Sequence, residues 1–499
     1  MRFSKLQALA AAASWAMTAA AASILEPRGV EQVKELGKKL SANAKIYWPG
    51  SPEFEKATTR WSALAAPKVN VVVVPATEKD VSVTVSFANN ISVPFLAFNG
   101  VHGSITTLGK MQGGIEIWMN QLSSVKVSAD GKTATIGGGT MSKKVTDDLW
   151  AAGKQTVTGT CECVSLMGPA LGGGHGWLQG HHGLVSDQFL SMNVVLADGS
   201  LKTIDSKSDL WWGMKGAGHN FGIVTSVTTK VYDIQHSDWA IETLIFKGDK
   251  VEAVYKAANE YLLKNGTQPV DVINWSYWLN NPDVDADKPV IIFYIIQEGV
   301  KSVDPVYTKP FHDIGPAVIQ PASGTYKDLA AWTGIALDSP PCQNVGNANP
   351  RFPIYLDTYN VASQKKIYDI FAAATKQGSD FANSLFMFEG YSEQGVQAIP
   401  DQASAFAFRG DNLLAAPLII YQPAGAELDK KAKALGDQLR SVLQQGSGRT
   451  ELHTYVNYAY GSETKQQWYG SAKWRQDKLS ALKKKYDPKG RFSFYAPVA

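Results

Sequence analysis

The stretch from Gly159 to Asp187, GTCECVSLMGPALGGGHGWLQGHHGLVSD, constrains the fold more than any other part of this 499-residue chain. It holds two of the three cysteines, three of the eight histidines and three consecutive glycines. Neither a plain helix nor a plain strand suits such a segment. Gly172, Gly173 and Gly174 free the backbone for positive φ and for the close approach of another group. Two readings follow: the glycines admit a bound ligand, or they serve a tight turn beside small, buried cysteines.

The length exceeds one hydrophobic core and predicts two domains, or one domain with a large insertion. Net charge is +3, and no run of lysines or arginines forms a basic stripe with interleaved aromatics, which argues against a nucleic-acid partner. Fourteen tryptophans with nineteen each of tyrosine and phenylalanine offer aromatic surface for a core or for a flat-ligand pocket. Residues 1–23 place Arg2 and Lys5 before an alanine-rich apolar run that ends in small residues at Ala20 to Ser23. That order predicts a secretory signal peptide cleaved near Ser23, too short for a membrane span, and no later stretch is long enough to cross a bilayer. An odd cysteine count in a secreted chain leaves at least one thiol for other chemistry; Cys161 and Cys163 are poorly spaced to bridge each other and too sparse for zinc. Asn90, Asn265 and Asn274 open N-x-S/T sequons, which fit a secreted glycoprotein.

Along the chain, Val69 to Pro75 reads as a buried strand, Lys79 to Asn89 as a helix and Phe95 to Leu96 as a strand that runs into Asn99-Gly100-Val101-His102-Gly103-Ser104. This order suggests an α/β unit that holds a nucleotide-like group on backbone amides. Short strands at 115–119, 125–127 and 133–136 and a helix over 142–152 precede the central stretch. After it, Asp198-Gly199 marks a hairpin, and a glycine-rich turn at 210–222 leads into a β run. From about Ser237, helices at 251–263, 364–376 and 426–443 alternate with strands at 271–278, 290–296, 385–389, 403–409 and 414–421. The simplest arrangement is a sheet with helices on one face. The tail carries YVNYAYGS, then a basic helix over 464–485 and the stop Asp487-Pro488-Lys489-Gly490.

The ordered set FNGVHGS, GTCECVSLMGPALGGGHG followed by GLVSD, WWGMKGAGHNFGIVTS, YVNYAYG and YDPKGRF resembles FAD-linked oxidases of the p-cresol methylhydroxylase and vanillyl-alcohol oxidase (PCMH) type, in their berberine-bridge-enzyme-like branch. The likeness runs from about Arg60 to Val498 and is carried by the two ends. It implies an α+β fold: a two-part PCMH-type FAD-binding domain over 27–236, completed by 445–499, with a substrate domain of helix-covered antiparallel sheet inserted over 237–444. It also implies FAD on Asn99, Gly100, Val101, Gly103 and Ser104, with Gly172, Gly173, Gly174 and Gly176 passing under the flavin and Gly222, Ile223 and Val224 as main-chain contacts. Phe98 and Val101 replace a basic residue and a glycine of the commoner family loop.

By the same resemblance His102 stands where the family links covalently to the flavin 8α-methyl, and Cys161 where many members attach at C6, with Cys163 a competitor two residues on. These bonds require a neutral imidazole and a thiolate. Asn457-Tyr458 matches a pair in which the tyrosine faces the flavin as base, its phenol pKa lowered by its surroundings. Periodicity alone reads Tyr455, Tyr458 and Tyr460 as an alternating aromatic strand. Glu389, Arg409 and His219 are further pocket candidates. His175, His181 and His182 do not form a metal site, since adjacent histidines of an extended segment diverge and no carboxylate stands at ligand spacing. The implied activity is a secreted FAD oxidase that passes hydride from an alcohol, phenolic or polyketide-like molecule to FAD and on to O2, in specialised metabolism. An oligosaccharide oxidase is the nearest alternative, and a non-redox flavin-scaffolded cyclase or binding protein is one of another class.

Overall fold

A computed structural model describes residues 33–264 and 266–498, so the predicted signal segment and Asn265 lie outside the described residues. The valine run does become a buried strand, Val69–Val74, pairing in parallel with Gly114–Trp118, which in turn pairs in parallel with Phe95–Phe98. Lys45–Tyr47 closes the other edge antiparallel. The helix Glu78–Asn90 makes the crossover, and its start is fixed by a capping box in which Thr77 and Asp80 each bond the other's backbone N–H. A second, five-stranded antiparallel sheet runs in the order Val125–Val127, Thr133–Gly137, Ile223–Lys230, Phe189–Val195, Leu201–Asp205. The central stretch is therefore a long excursion between two strands of this sheet.

The third sheet is antiparallel and seven-stranded, in the order Val318–Gly324, Trp239–Phe246, Val290–Glu298, Val272–Leu279, Leu385–Gly390, Leu413–Leu418, Ile354–Leu356. Its period of two divides every strand between two environments. Trp278, Ile291, Phe293, Phe386 and Phe388 pack under the helices Val251–Ala257, Val361–Ala374 and Ala426–Ser447. Trp275, Tyr277, Tyr294 and Met387, one residue out of phase, belong to the core that continues into the first half of the chain. The tail returns to that half: Asn220 Nδ2 donates to Ala496 O at 3.2 Å, and Val498 N donates to Asn220 Oδ1 at 3.0 Å.

Several sequence expectations need correction. Residues 403–409 do not form a strand, because the backbone N–H groups of Ala405 and Phe406 donate to Trp212 O and Lys215 O of the glycine-rich turn. The strands Trp239–Phe246, Val318–Gly324 and Ile354–Leu356 went unread; the second is an edge strand that carries Pro321, a position where a missing donor costs no ladder bond. The basic tail helix is two helices, Lys465–Tyr469 and Lys473–Tyr486, separated where Gly470 takes φ +82°. His181 and His182 lie in a short helix, Gln179–His182, rather than in extended chain. Of the described sequons, Asn90 is exposed, whereas Asn274 is buried within a strand and donates to Tyr294 O. Asn274 is therefore closed to glycosylation in the folded chain.

Candidate active site

Between the first half of the chain and the inner face of the seven-stranded sheet lies a cavity of about 950 Å³, lined by Asn99 to Gly103, Cys161, His219, Gly222 to Val224, Glu389, Asn457 and Tyr458 among others. The sequence stretches at 99–103, 159–161, 222–224 and 457–458 thus meet on one surface. Ser104, Gly172, Gly173, Gly174 and Gly176 do not line it. A Cβ on Gly172 would lie 2.2 Å from Asn457 Oδ1, and one on Gly176 would lie 2.1 Å from Thr158 O. Gly173 and Gly174 take φ +103° and +88° against Phe406 and Val185. Gly172 thus seats the backbone against the tail, and the other three seat it against Phe406, Val185 and Thr158, away from the cavity lining. Asn457 completes that joint, donating to Pro169 O and to Tyr455 Oη, each at 2.8 Å.

The three cysteines converge beside His102. Cys163 and Cys342 form a disulfide across 179 positions, a pairing that nothing in the local sequence signals. Cys161 is the free thiol, 3.4 Å from Cys163 Sγ and 3.8 Å from Cys342 Sγ. Those near-equal distances set it broadside to the disulfide, away from the in-line approach that exchange requires. Cys163 is thereby removed as a competitor for cofactor attachment in this structure. His102 Nε2 lies 3.2 Å from Cys163 Sγ. A disulfide sulfur has no proton to give, so the tautomer that makes this contact a hydrogen bond carries its proton on Nε2 and the lone pair on Nδ1. Burial, reinforced by the nearby Arg351 cation, pushes the His102 imidazole down to about 3, which keeps it neutral. Burial pushes the Cys161 thiol the other way, up to about 11, so it rests as thiol.

Tyr458 sits in a single 3-10 turn, Val456–Tyr458, and not in an alternating strand. Its hydroxyl donates to Glu389 Oε1 at 2.9 Å, and Tyr391 donates to Glu389 Oε2 at 2.8 Å. Glu389 is buried on an inner-sheet strand, and desolvation raises its pKa. The expectation of a lowered phenol pKa is reversed here: burial and the Glu389 carboxylate hold Tyr458 well above the ordinary phenol value, with Arg351 opposing them. The pair can instead pass a proton, Tyr458 accepting one from a bound hydroxyl while its own moves to Glu389. Arg409 is placed elsewhere, in a bidentate pair with Asp187 at 2.8 and 2.9 Å and off the cavity wall. His181 bonds Glu298 at 2.8 Å, and His182 stacks on Tyr232. Among the functional-looking groups, the sequence reading missed Arg351 and Tyr391, which no local motif marks.

FAD fits this surface by its chemistry. A Cβ at Gly100 would lie 2.9 Å from Cys163 O and one at Gly138 would lie 2.1 Å from Val224 O, so the wall closes only on bare backbone, the form suited to a diphosphate. His219, which lines the cavity, donates from Nε2 to Gly168 O and leaves Nδ1 buried without a partner, an open acceptor for a cofactor donor.

The comparisons agree with the geometry. The FAD binding domain family matches residues 69–205. The FAD-linked oxidoreductase chyH of Penicillium rubens is 60% identical over 499 residues, covering 99% of this chain and 100% of that protein. The solved BBE-like 1 of Physcomitrella patens superposes with a TM-score of 0.78 at 21% identity, over 94% of this chain and 99% of that one. The glucooligosaccharide oxidase of Acremonium strictum, described with a 6-S-cysteinyl, 8α-N1-histidyl FAD, superposes with a TM-score of 0.77 at 17% identity, over 92% and 97%. At such identities the solved structures speak for the fold.

Proposed function

Since the chain belongs to the FAD-linked oxidoreductases, we propose that it is an oxidase of a hydroxyl-bearing aromatic or polyketide-like molecule, acting in specialised metabolism. The observation that carries this reading is the Tyr458–Glu389 hydrogen bond, held by Tyr391 on the wall of the cavity that also contains His102 and Cys161. FAD, when bound, supplies the hydride acceptor and returns the electrons to O2 as H2O2. Tyr458 orients the substrate hydroxyl and takes its proton as its own passes to Glu389 Oε1, so no net charge accumulates on the phenol. The aromatic face of Trp275, Tyr277, Tyr294 and Tyr391 holds a flat substrate and excludes water.

Covalent attachment is part of the proposal. His102 offers a neutral imidazole with its lone pair on Nδ1, which supports the first bond. Cys161 is the free thiol, and as its minor thiolate it would supply the sulfur of a second bond, the displaced ring proton going to solvent and the two electrons through the flavin to O2. Export through the secretory pathway, after removal of residues 1–23, is supported by the Cys163–Cys342 disulfide, a bond that persists in oxidising compartments.

The test is the purified holoprotein against a panel of alcohols, phenols, polyketide-like compounds and oligosaccharides, read as H2O2 release and anaerobic bleaching. Turnover with hydroxyl-bearing aromatics supports the reading. Turnover with oligosaccharides alone moves the substrate class, and no bleaching by any member while sugars and aromatics still bind turns it toward a non-redox role. Acid precipitation should leave the protein yellow, and His102→Ala should retain one link through Cys161. Release of all flavin from the unmodified protein would overturn attachment.

A further inference from the structure

Among the described residues three arginines line the cavity, and one of them has no hydrogen-bond or ion-pair partner for its side chain. Arg60 pairs with Glu116 at 3.2 Å, and Arg491 donates to Val93 O at 2.8 Å. Arg351 makes no ion pair and no side-chain hydrogen bond among the described residues, and its Nε is buried without an acceptor. Its guanidinium carbon lies 4.7 Å from the Trp61 ring and 4.3 Å from the Tyr458 ring. Its backbone is pinned by a bridge to Leu418 on the seven-stranded sheet, which fixes where the side chain starts. The one buried carboxylate on the wall, Glu389, already accepts from Tyr391 and Tyr458 and lies beyond ion-pair reach of Arg351. Arg351 is half-buried and feels the Glu389 charge only through space, and stacking on aromatic faces leaves its guanidinium N–H groups without an acceptor. The acceptor that these N–H groups lack can be supplied by a molecule that enters the cavity Arg351 lines.

We propose that Arg351 is an anion-recognition residue, and that the substrate carries a carboxylate, or an acyl oxygen that becomes anionic, which the guanidinium edge binds while Trp61 and Tyr458 hold its faces. A guanidinium offers a planar fork that matches a carboxylate with two parallel hydrogen bonds. Because Tyr458 is one of the two stacking rings, an anion held there lies next to the group that receives the substrate proton. This rests on the oxidase reading for the cavity's role and adds the substrate's charge class: an aromatic acid or acyl compound in place of a neutral sugar or simple alcohol.

The experiment titrates the oxidised holoprotein with benzoate and with its neutral isostere benzamide, following the perturbation of flavin absorbance. The unmodified protein should bind benzoate about tenfold or more tightly than benzamide, the scale of a charge-assisted hydrogen-bonded pair. Arg351→Met should erase the preference, and Arg351→Lys, which keeps the charge but loses the fork, should retain part of it. If Arg351→Met does not retain FAD, Arg351→Lys carries the test, and unaltered benzoate binding in it overturns the proposal. Equal binding of the two probes by the unmodified protein, or a preference that survives in Arg351→Met, also overturns it. Should the preference survive while the flavin midpoint potential falls in Arg351→Met, the cation serves the cofactor instead of the substrate. The titration needs bound flavin but no turnover. A protein that oxidises nothing can thus still pass it, and an active oxidase can still fail it.

Discussion

The two walls of the cavity are made differently. On the wall built from residues 99–103, 138 and 222–224, bare backbone at Gly100 and Gly138 frames His102, and a Cβ is shut out by contacts such as the 2.1 Å that one on Gly138 would make with Val224 O. On the wall built from the seven-stranded sheet, side chains form the surface: Trp275, Tyr277, Tyr294, Met387 and Glu389 stand on alternate positions of three strands. Backbone contacts restrict residue type at fixed spacing and leave a motif. The sheet wall requires only alternation, which any half-buried antiparallel strand satisfies. A wall of close backbone contacts is therefore written locally, whereas a wall of sheet side chains is assembled from positions more than a hundred residues apart.

The sharpest way to break this contrast is to remove chemistry from where the walls meet. Tyr458→Phe and Glu389→Gln should each slow flavin reduction on the order of 10²- to 10⁴-fold, the contribution of a positioned acid–base group. Reoxidation by O2 and flavin content should be nearly unchanged. Stopped-flow reduction decides it, and a full rate in Tyr458→Phe would return that residue to a purely packing role. Because burial raises the Glu389 pKa, the acceptor carboxylate is lost by protonation above the usual carboxylate range. The reduction rate should therefore fall with acidification from a higher pH than an exposed glutamate would give, and Glu389→Gln should abolish that acid limb.

How much was legible follows the same division. The valine strand, its crossover helix and the loop at 99–104 stand in the structure where the sequence places them, since each is decided by neighbours a few residues away. The fold class came from motif order. Glu389 was visible as an acid on a strand, but its union with Tyr458 depends on a contact 69 positions long. Arg351 lies in an unremarkable NPRFP segment, and its meaning comes only from the two rings it packs against. The 403–409 run has strand-like residues, yet tertiary partners on the 210–216 turn took its backbone donors. Cys342 could not be paired from spacing, because a bridge over 179 positions has no local signature.

That bridge offers a smaller but informative perturbation, since it ties loop 333–349 of the second half to the cofactor-side stretch. Cys342→Ser should cost about 2–4 kcal/mol in unfolding, mainly by releasing a long loop in the unfolded chain. Cys163→Ser should do the same and expose an alkylatable thiol at Cys342. Cys161→Ser should free no thiol at Cys342. If Cys161→Ser is the variant that makes Cys342 reactive, the pairing is 161 with 342, and Cys163 becomes the free thiol at the cofactor.

The smallest expected effect tests whether the two halves are also tied by charge. His181, in the short helix of the central stretch, bonds Glu298 Oε2 at 2.8 Å on the strand Val290–Glu298. The hydrogen bond to Glu298 raises the His181 pKa; burial opposes it, and the charges of Glu298 and Asp271 add to it. A histidine whose folded pKa exceeds its unfolded value stabilises the fold fully below the unfolded value, near 6.5, and this stabilisation disappears as pH rises through the folded pKa. His181 is 32% exposed at its side chain, so solvent screening limits the effect to under about 1 kcal/mol. Denaturant unfolding across pH 5 to 9 should show this loss on the alkaline side of the histidine range. Glu298→Gln should flatten that part of the profile, because the imidazolium then has no carboxylate partner on the sheet. A profile in Glu298→Gln identical to that of the unmodified protein would leave the two halves joined by packing, the Cys163–Cys342 bridge and the buried Arg409–Asp187 pair, with no measurable share carried by His181 and Glu298.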